Sequence, residues 1–557
     1  MNRSHLQIYP IQILFTLTLI GNPISAQEPQ DVEVTIDTEE TYRTMTGFGA
    51  SLAYYEGWLT AHPKKNEIYE AIFNELSLDI LRVRNAYGYD AGMVGRVKEF
   101  AQAAKASLGH PIAILSTSWG PPAYLKSNND KSNGGTLRYT AGEEGVIFDY
   151  AGFADWWVES LDEYNRNGIY PDYIGIQNEP DFSASWESCR LNPSETINAT
   201  DTIAGFNRAL DSVYHRILQR EHQPKILGPE NVGIGYNSVE NYGNAMDLSK
   251  IYGIAHHLYH GVNESNPFAS TDFKKVGNFH PEIPHFQSEY SRGDWFYLAG
   301  VIYMSLHEEN VTAYLYWDLI WVDGAGLVSL EFPWDPSGWT DPQKGYARTK
   351  DFFAFKQYSA FIHPGWQRAG EIVSDNSIKG VAFLSPGKDS GAFVAINRSE
   401  TETFNLHLSV PGYSINTSSV FRTSATEDCD NIGGLADSIF TLPPHSVATV
   451  AMQLSKISAG PYPEHLAAPE GAFASVSNFP NPFPHATTLR FYLRDSGPVR
   501  LTLFDSSGRE VRKLSLGSRE TGIQEHKLQC DGLENGLYFY RLEHASGDSV
   551  KGKFIIE

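Results

Sequence analysis

The amino-acid sequence predicts an α/β fold: a (β/α)8 TIM barrel with a side β-sandwich, followed by a small all-β, Ig-like domain at the C-terminus. Short apolar runs alternate with longer amphipathic stretches between residues 47 and 362, which gives eight units of about 40 residues. Beyond Gly365 the alternation stops, and short strands follow without a helix-length period. With 557 residues and 41% hydrophobic side chains, the chain can build several cores.

The first 26 residues predict a secretory signal peptide. Arg3 gives a positive start, residues 11–20 form an apolar run, and Ala26 is a small residue suited to cleavage. The run is too short to span a bilayer, and no later segment approaches about 20 apolar residues. We therefore expect a secreted or cell-surface protein without a membrane span.

Composition narrows the function classes. The chain has 43 Lys+Arg against 66 Asp+Glu, a net charge of −23, which disfavours nucleic-acid binding. Its 30 Phe, 30 Tyr and 11 Trp favour a neutral ligand that stacks on rings. Three cysteines exclude a disulfide scaffold but leave a Cys189–Cys429 bridge open.

Eight apolar runs are the predicted barrel strands. Each begins apolar and ends polar, as expected when functional side chains lie at the C-terminal mouth of a barrel. A doubly wound open sheet is the alternative, but the first strand–helix turn lacks GxGxxG. The runs are residues 45–52, 79–88, 111–122, 172–180, 224–230, 251–261, 284–290 and 312–321.

The remaining boundaries follow from changes in pattern. Residues 27–46 are strand-like and are expected to join the side β-sandwich at residues 363–455, leaving 47–362 for the barrel. Residues 456–475 are rich in Ala, Pro, Gly and Ser, which predicts a linker. Residues 476–557 form a separate all-β unit.

Two glutamates at matching strand ends are the candidate catalytic residues. Glu179 ends the fourth predicted strand and Glu289 the seventh, so both should converge on one mouth. A pair of carboxylates, one protonated and one ionised, suits cleavage of a glycosidic bond. The structural alternative is a glutamate that caps a helix or pairs with a cation.

Short motifs between residues 30 and 454 resemble glycoside hydrolase family 30, which consists of retaining (β/α)8 enzymes. The resemblance implies that Glu179 is the acid/base, that Glu289 is the nucleophile, and that the side β-sandwich is built from both flanks of the barrel. The motifs are GFGAS at 47–51, SWGPPAYLK at 118–126, QNEP at 177–180, SEY at 288–290, AYLYWD at 313–318 and RTSA at 422–425.

The resemblance also implies substrate-binding residues. Asn178 matches an asparagine that hydrogen-bonds the sugar 2-hydroxyl, and Tyr259 matches a tyrosine that orients the nucleophile. Trp119 and Trp317 match tryptophans that form the floor of the subsite before the cleaved bond, with packing in the barrel core as the alternative. Further candidates at the mouth are Tyr54, Arg84 and Arg292.

Three histidines and a pair of glutamates outside these motifs allow other interpretations. His256, His257 and His260 suggest a metal site, but strand neighbours point to opposite faces and no HExxH spacing accompanies them. We therefore expect no metal and no cofactor. Glu308 and Glu309 lie on a predicted helix, where we expect them to face solvent.

Residues 476–557 resemble the C-terminal sorting domain of the type IX secretion system, through segments 478–483, 503–509 and 536–542. This resemblance implies that the type IX secretion machinery is a partner of the protein and exports it. A carbohydrate-binding module is the alternative, but the tail lacks clustered tryptophans.

The substrate is predicted from the branch that the motifs resemble. The segments at 313–318 and 422–425 are more similar to the xylanases, whereas residues 318–326 lack the arginine-bearing loop of glucuronoxylan-specific members. We expect a monomeric retaining hydrolase of β-1,4-xylan, an endo-xylanase or glucuronoxylanase. The alternatives are a β-1,6-glucanase, a β-glucosidase or glucosylceramidase-like hydrolase, and a non-catalytic glycan-binding surface protein.

Overall fold

A computed structural model of the chain describes residues 28–143, 145–457, 472–479 and 481–556. Two compact units meet in sequence at Ile457. The predicted signal peptide and most of the predicted linker lie outside the described residues. None of the described helices has the length and the apolar run needed to cross a bilayer.

The first unit contains a closed barrel of eight parallel strands. Each strand pairs with the next, and the eighth closes on the first with Tyr314 opposite Phe48. Each predicted apolar run overlaps one strand of the barrel, so the (β/α)8 prediction is confirmed. The strands are Gly47–Leu52, Ile80–Arg84, Ala113–Thr117, Tyr173–Gly175, Lys225–Asn231, Gly253–His257, His285–Glu289 and Ala313–Tyr316.

The helices pack their apolar faces on the barrel. In Tyr150–Arg166, Asp149 caps the first turn by accepting from the Gly152 amide at 2.9 Å, and Phe153, Trp157 and Leu161 recur on the buried face. The other helical segments are Glu56–Ala61, Lys65–Tyr69 with its extension Glu70–Glu75, Met93–Leu108, Phe206–Ile217, Ser238–Ala245, Asp272–Gly277, Trp295–Met304 with its extension Ser305–Glu309, and Lys350–Ser359.

Apolar side chains fill the lower half of the barrel. Ile80, Leu115, Tyr173 and Phe286 belong to one buried cluster, and the last two rings are 5.6 Å apart. Side chains alternate along a strand, so Arg82 projects to the same face as Ile80, one layer nearer the mouth. Polar groups therefore collect above an apolar floor.

A nine-stranded, mostly antiparallel sheet completes the first unit. Gln30–Thr44 pairs antiparallel with Gln367–Val373 and parallel with Phe404–Ser409, so segments from both sides of the barrel sequence share one sheet. This curled sheet, with its own apolar cluster, is the predicted side β-domain. Its other strands are Ile378–Leu384, Ser390–Asn397, Tyr413–Thr423, Asp428–Asn431, Ile439–Leu442 and Ser446–Lys456.

The second unit is all-β, as predicted. A three-stranded and a four-stranded sheet share one apolar cluster that includes Leu489, Leu501 and Phe554. A turn at residues 505–508 connects two of its antiparallel strands. The strands are Phe473–Phe479, Ala486–Leu493, Gly497–Asp505, Glu510–Arg519, Gly522–Gln529, Gly536–His544 and Ser549–Ile556.

The cysteines do not pair. Cys189, Cys429 and Cys530 are all free and buried. The bridge between Cys189 and Cys429 that the sequence left open is therefore not formed.

Candidate active site

A cavity of about 560 Å³ opens where the barrel strands end. Aromatic rings form much of its wall, and the two predicted glutamates lie at its base. It is lined by Tyr54, Trp119, Asn178, Glu179, Phe182, Trp186, Val232, Tyr259, His260, Glu289, Ser291, Arg292, Trp317 and Trp321.

Glu179 and Glu289 face each other closely. One carboxylate oxygen of each and a ring nitrogen of His257 lie within 4.8 Å of one another. Both glutamates are buried, with 8% and 5% of their surface exposed. Carboxyl groups this close suit direct attack on a sugar, whereas inverting enzymes separate theirs by roughly 6.5–9.5 Å to admit a water.

The backbone aims Glu179 into the cavity through an uncommon conformation. Its φ is +43°, in the left-handed region that few residues with a Cβ adopt. Its amide donates to the Glu230 carbonyl at 2.9 Å, and its carbonyl accepts from Phe182. Burial, followed by the charge of Asp181, raises the pKa of Glu179 to about 7, so the group can hold a proton near neutrality.

Arg82 connects Glu289 to Asn178 from below the cavity. Its fully buried guanidinium donates to Glu289 Oε2 at 2.6 Å and to Asn178 Oδ1 at 2.6 Å. It also lies 3.3 Å from Glu230 Oε1 and 4.4 Å beneath the Trp119 ring centroid. A buried arginine needs such partners, because an unpaired charge in the interior is costly.

Glu230 is the third buried carboxylate of this layer. Thr117 Oγ1 donates to Glu230 Oε2 at 3.2 Å. A Cβ added to Gly175 would lie 1.7 Å from that oxygen, so only glycine leaves room for the carboxylate. Glu230 thus shares the positive charge of Arg82 with Glu289.

Two further side chains surround the catalytic pair. Tyr259 Oη donates to Glu289 Oε1 at 3.1 Å. Burial and the charges of Glu289 and Glu179 raise the pKa of Tyr259 well above its usual value, which keeps the phenol a donor. His257 Nδ1 lies 3.1 Å from Glu179 Oε1, and burial lowers the pKa of His257 to about 4, so its ring is neutral at pH 7.

The predicted tryptophans do reach the cavity. Trp119 and Trp317 lie 5.6 Å apart at ring centroids, and Tyr54 contacts both rings edge-on at 6.4 and 6.0 Å. Trp321, which the sequence analysis did not select, lies 6.0 Å beyond Trp317. These rings offer apolar faces to the carbon–hydrogen faces of sugars.

The two predicted arginines differ in position. Arg292 lines the cavity, half exposed, and donates to Glu264 Oε1 at 2.8 Å. Arg84 does not reach the cavity wall: its guanidinium lies 4.7 Å from the Tyr54 ring centroid and donates to Glu187 Oε1 at 3.1 Å. Arg84 therefore supports Tyr54 from behind and is not placed to contact a ligand.

One expectation about surface charge was wrong. Glu309 is fully buried, and its Oε1 lies 2.6 Å from His256 Nε2 and 3.4 Å from His285 Nδ1. Strand alternation explains the arrangement, because His257 points into the barrel while His256 points outward to the helix that carries Glu309. Only Glu308 of the predicted exposed pair remains partly exposed.

Within the described part of the chain, one group of side chains has donor atoms close enough to hold a metal ion. It consists of Glu179, His257 and Glu289. Their surroundings favour another use. Arg82 places a full positive charge 2.6 Å from Glu289, and a second cation there would be repelled. The absence of a metal remains a prediction.

A (β/α)8 barrel with two buried carboxylates facing each other at its mouth has the groups that cleavage of a glycosidic bond requires. Comparison with known proteins points to the same class. The chain is 22% identical over 403 residues to the glucuronoxylanase of Bacillus subtilis, covering 70% of this chain and 84% of that protein. It is 24% identical over 348 residues to mouse lysosomal acid glucosylceramidase, covering 57% of this chain but only 64% of the relative's length.

Solved structures show the same fold. The catalytic domain of a family 30 xylanase from Talaromyces cellulolyticus superposes with a TM-score of 0.60 at 21% identity, covering 76% of this chain and all of that one. An endo-β-1,6-glucanase gives 0.57 at 16% identity, covering 76% and 94%. These structures share the predicted fold, and together with the two relatives they bear out the resemblance to glycoside hydrolase family 30.

Residues 477–557 match the family described as the secretion system C-terminal sorting domain. The second unit is therefore a sorting domain, and the protein is directed to export or to the cell surface. This confirms the predicted localisation.

Proposed function

We propose that the protein is a retaining endo-β-1,4-xylanase, with Glu179 as acid/base and Glu289 as nucleophile. The observation that carries this proposal is the pair of buried carboxylate oxygens within 4.8 Å of each other at the base of an aromatic-lined cavity. Burial raises the pKa of both glutamates, but their neighbours differ. Arg82 and Tyr259 donate hydrogen bonds to Glu289, whereas the charge of Asp181 adds to the effect of burial on the pKa of Glu179.

In the first step, a Glu289 oxygen attacks the anomeric carbon as the bond to the leaving oxygen breaks. Protonated Glu179 gives its proton to that oxygen, and a glycosyl ester on Glu289 forms. Asn178 is positioned for the sugar 2-hydroxyl, with its Oδ1 held by Arg82 so that its amide nitrogen can donate.

In the second step, Glu179, now ionised, removes a proton from water, and the resulting hydroxide attacks the anomeric carbon. The ester bond breaks, Glu289 recovers its negative charge, and the configuration at the anomeric carbon is retained. Arg82 and Tyr259 stabilise that recovered charge.

The choice of xylan is supported by similarity to the xylanases and by the strand-eight motif. No arginine follows strand eight within residues 318–326. Arg292 is the cation that lines the cavity, and its partner Glu264 is largely exposed, so an acidic branch could compete for it. We therefore propose that a glucuronic acid branch is accepted but not required.

The first prediction tests the two glutamates. We expect Glu289→Gln to lose about 10³-fold or more of kcat on xylan, because the nucleophile is gone. Glu179→Gln should lose about 10²–10⁴-fold on xylan but much less on an aryl xyloside, whose leaving group needs no proton. Added azide should restore turnover of the aryl xyloside in Glu179→Gln and give a β-glycosyl azide.

The products on three polymers separate the candidate functions. Arabinoxylan, glucuronoxylan and β-1,6-glucan are offered to the native protein, and xylan oligosaccharides are the expected products. Release from β-1,6-glucan alone would select the glucanase, for which the similar endo-β-1,6-glucanase structure argues. Binding without release from any polymer would select the glycan-binding alternative.

A further inference from the structure

Partly exposed aromatic rings continue outward from the cavity wall. We call Trp321, Tyr55, Trp58, Phe332 and Trp334 the aromatic strip. Starting from Trp317 in the cavity, successive ring centroids are 6.0 Å to Trp321, 4.8 Å to Tyr55, 5.2 Å to Trp58 and 6.3 Å to Trp334. The strip therefore connects the cavity to the surface by direct ring contacts.

The outer end of the strip is strongly exposed. Phe332 has 47% and Trp334 has 58% of its surface exposed, and their centroids are 4.6 Å apart. Trp58 meets both rings edge-on from beneath. Neighbouring large rings left open to water cost free energy, and such patches on soluble proteins usually mark binding sites.

The segment that carries these two rings is anchored. Trp339 Nε1 donates to the Phe332 carbonyl at 2.8 Å, and the Trp339 ring stacks on His62 with centroids 5.1 Å apart and planes 5° apart. The Thr340 amide donates to Glu331 Oε2 at 2.6 Å. The packing of Trp339 and the hydrogen bond between Thr340 and Glu331 thus fix the segment that carries Phe332 and Trp334.

We propose that the aromatic strip is an extended glycan-binding surface, which holds sugar residues of the same polysaccharide chain beyond the catalytic cavity. This rests on the proposed function for the identity of the chain. A neutral stretch of glycan fits, because its carbon–hydrogen faces stack on rings and the five side chains of the strip carry no charge. Continuity with the cavity favours this occupant over a protein partner.

The test compares polymer with short substrate. We expect the double variant Phe332→Ala/Trp334→Ala to lower the ratio of kcat/KM on soluble arabinoxylan to kcat/KM on an aryl xyloside about three- to tenfold, since losing ring stacking should cost about 0.5–1.5 kcal/mol. Tyr170→Ala is the matched control: Tyr170 is half exposed but precedes the fourth barrel strand, at the end opposite the mouth. An unchanged ratio, or an equal fall in the control, would overturn the proposal.

A binding experiment separates this proposal from the catalytic one. In the inactive Glu289→Gln background, native electrophoresis through arabinoxylan or β-1,6-glucan measures affinity without cleavage. We expect one polymer to retard the protein, with the apparent Kd rising three- to tenfold in the double variant. Strip-dependent retardation, found together with a native protein that releases no sugar from any of the polymers, would support the strip while contradicting the proposed activity. Retardation that does not depend on the strip would contradict the strip alone.

Discussion

The conformation of Glu179 has a cost at the scale of single residues. A φ of +43° and a buried carboxyl are both unfavourable, and the surrounding hydrogen bonds hold them in place. The same burial raises the pKa of Glu179 to about 7, whereas an exposed glutamate would be ionised at that pH. The burial that is unfavourable for the carboxyl group of Glu179 therefore also lets this group hold a proton near pH 7.

This pKa predicts the pH dependence of the reaction. Glu179 must carry its proton in the first step, so kcat/KM on xylan should fall as pH rises through about 7. After burial, the charge of Asp181 contributes to the raised pKa of Glu179. Asp181→Asn should therefore move this fall in kcat/KM, the basic limb of the pH profile, to lower pH. The measurement is a pH profile of both proteins.

The pH of the basic limb in Asp181→Asn, compared with that in the native protein, decides whether this prediction holds. If Asp181→Asn leaves the basic limb where it is in the native protein, the charge of Asp181 does not set the pKa of the acid. Asparagine still offers an oxygen to the Val232 amide, which now donates to Asp181 at 2.9 Å, so the loop should keep its shape.

Residue-level prediction succeeded where the chemistry is visible in one segment. Glu179, Glu289, Asn178 and Trp317 follow strand ends in recognisable motifs, and all four line the cavity. Arg82 was missed, although a charged residue in the apolar run ILRVR signals a buried ion pair. Neither arginine lines the cavity: Arg82 lies below it, and Arg84, which the sequence suggested as a ligand contact, lies behind Tyr54.

At the scale of elements, Glu309 joins a helix to two barrel strands. Burial alone would raise the pKa of Glu309, but the charge and hydrogen bonds of His256 and His285 outweigh it and lower the pKa to about 2. The pKa of His256 is raised by Glu309 despite burial. The carboxylate contribution to stability is present above its unfolded pKa near 4.5 and is lost as pH falls towards 2.

We expect Glu309→Gln to lower the free energy of unfolding by about 3–5 kcal/mol at pH 6, because it leaves a buried histidine without its anion. Urea denaturation measures the change. Glu308→Gln is the control on the adjacent, partly exposed residue, and should change stability by less than about 1 kcal/mol. Equal effects in the two variants would contradict the role given to Glu309.

The misplacement of Glu309 shows a limit of periodicity. The pair Glu308–Glu309 lies where the last helical turn widens, over Ser305–Glu309, so the ordinary period does not say which residue faces the barrel. His256 supplies the missing information, but its contact with Glu309 spans 53 residues. Such a pair cannot be found from local patterns.

At the scale of the whole molecule, catalysis and sorting occupy separate units. Every residue that lines the cavity lies before Ile457, and each unit has its own apolar clusters. We expect a chain ending at Ile457 to keep kcat and KM within about twofold of the full chain. Enzyme assays on both purified proteins measure this.

Export, unlike enzyme activity, should be lost when the chain ends at Ile457. In a bacterium with type IX secretion, the shortened chain should stay inside the outer membrane, whereas residues 472–557 appended to a reporter should direct it outward. A truncated enzyme that still reaches the medium would contradict the sorting role, and one that loses activity would contradict the independence of the catalytic unit.

The barrel was predictable as a whole because eight strands repeat one pattern, so an error in one unit is corrected by the others. The side sheet was harder, since its short strands carry no signal for their order. Gln30–Thr44 lies between strands that follow it by more than 300 residues. The strand-like pattern predicted that this segment joins the side sheet, and the family resemblance implied the same, but neither gave its neighbours.

That strand has a consequence for the order of folding. Gln30–Thr44 is synthesised before its neighbours in the sheet, which end at Val373 and Ser409. Pairing over such separations forms late, because the long intervening loop must first be closed. This strand therefore has neither sheet partner complete until Val373 has been synthesised, and the second is complete only at Ser409.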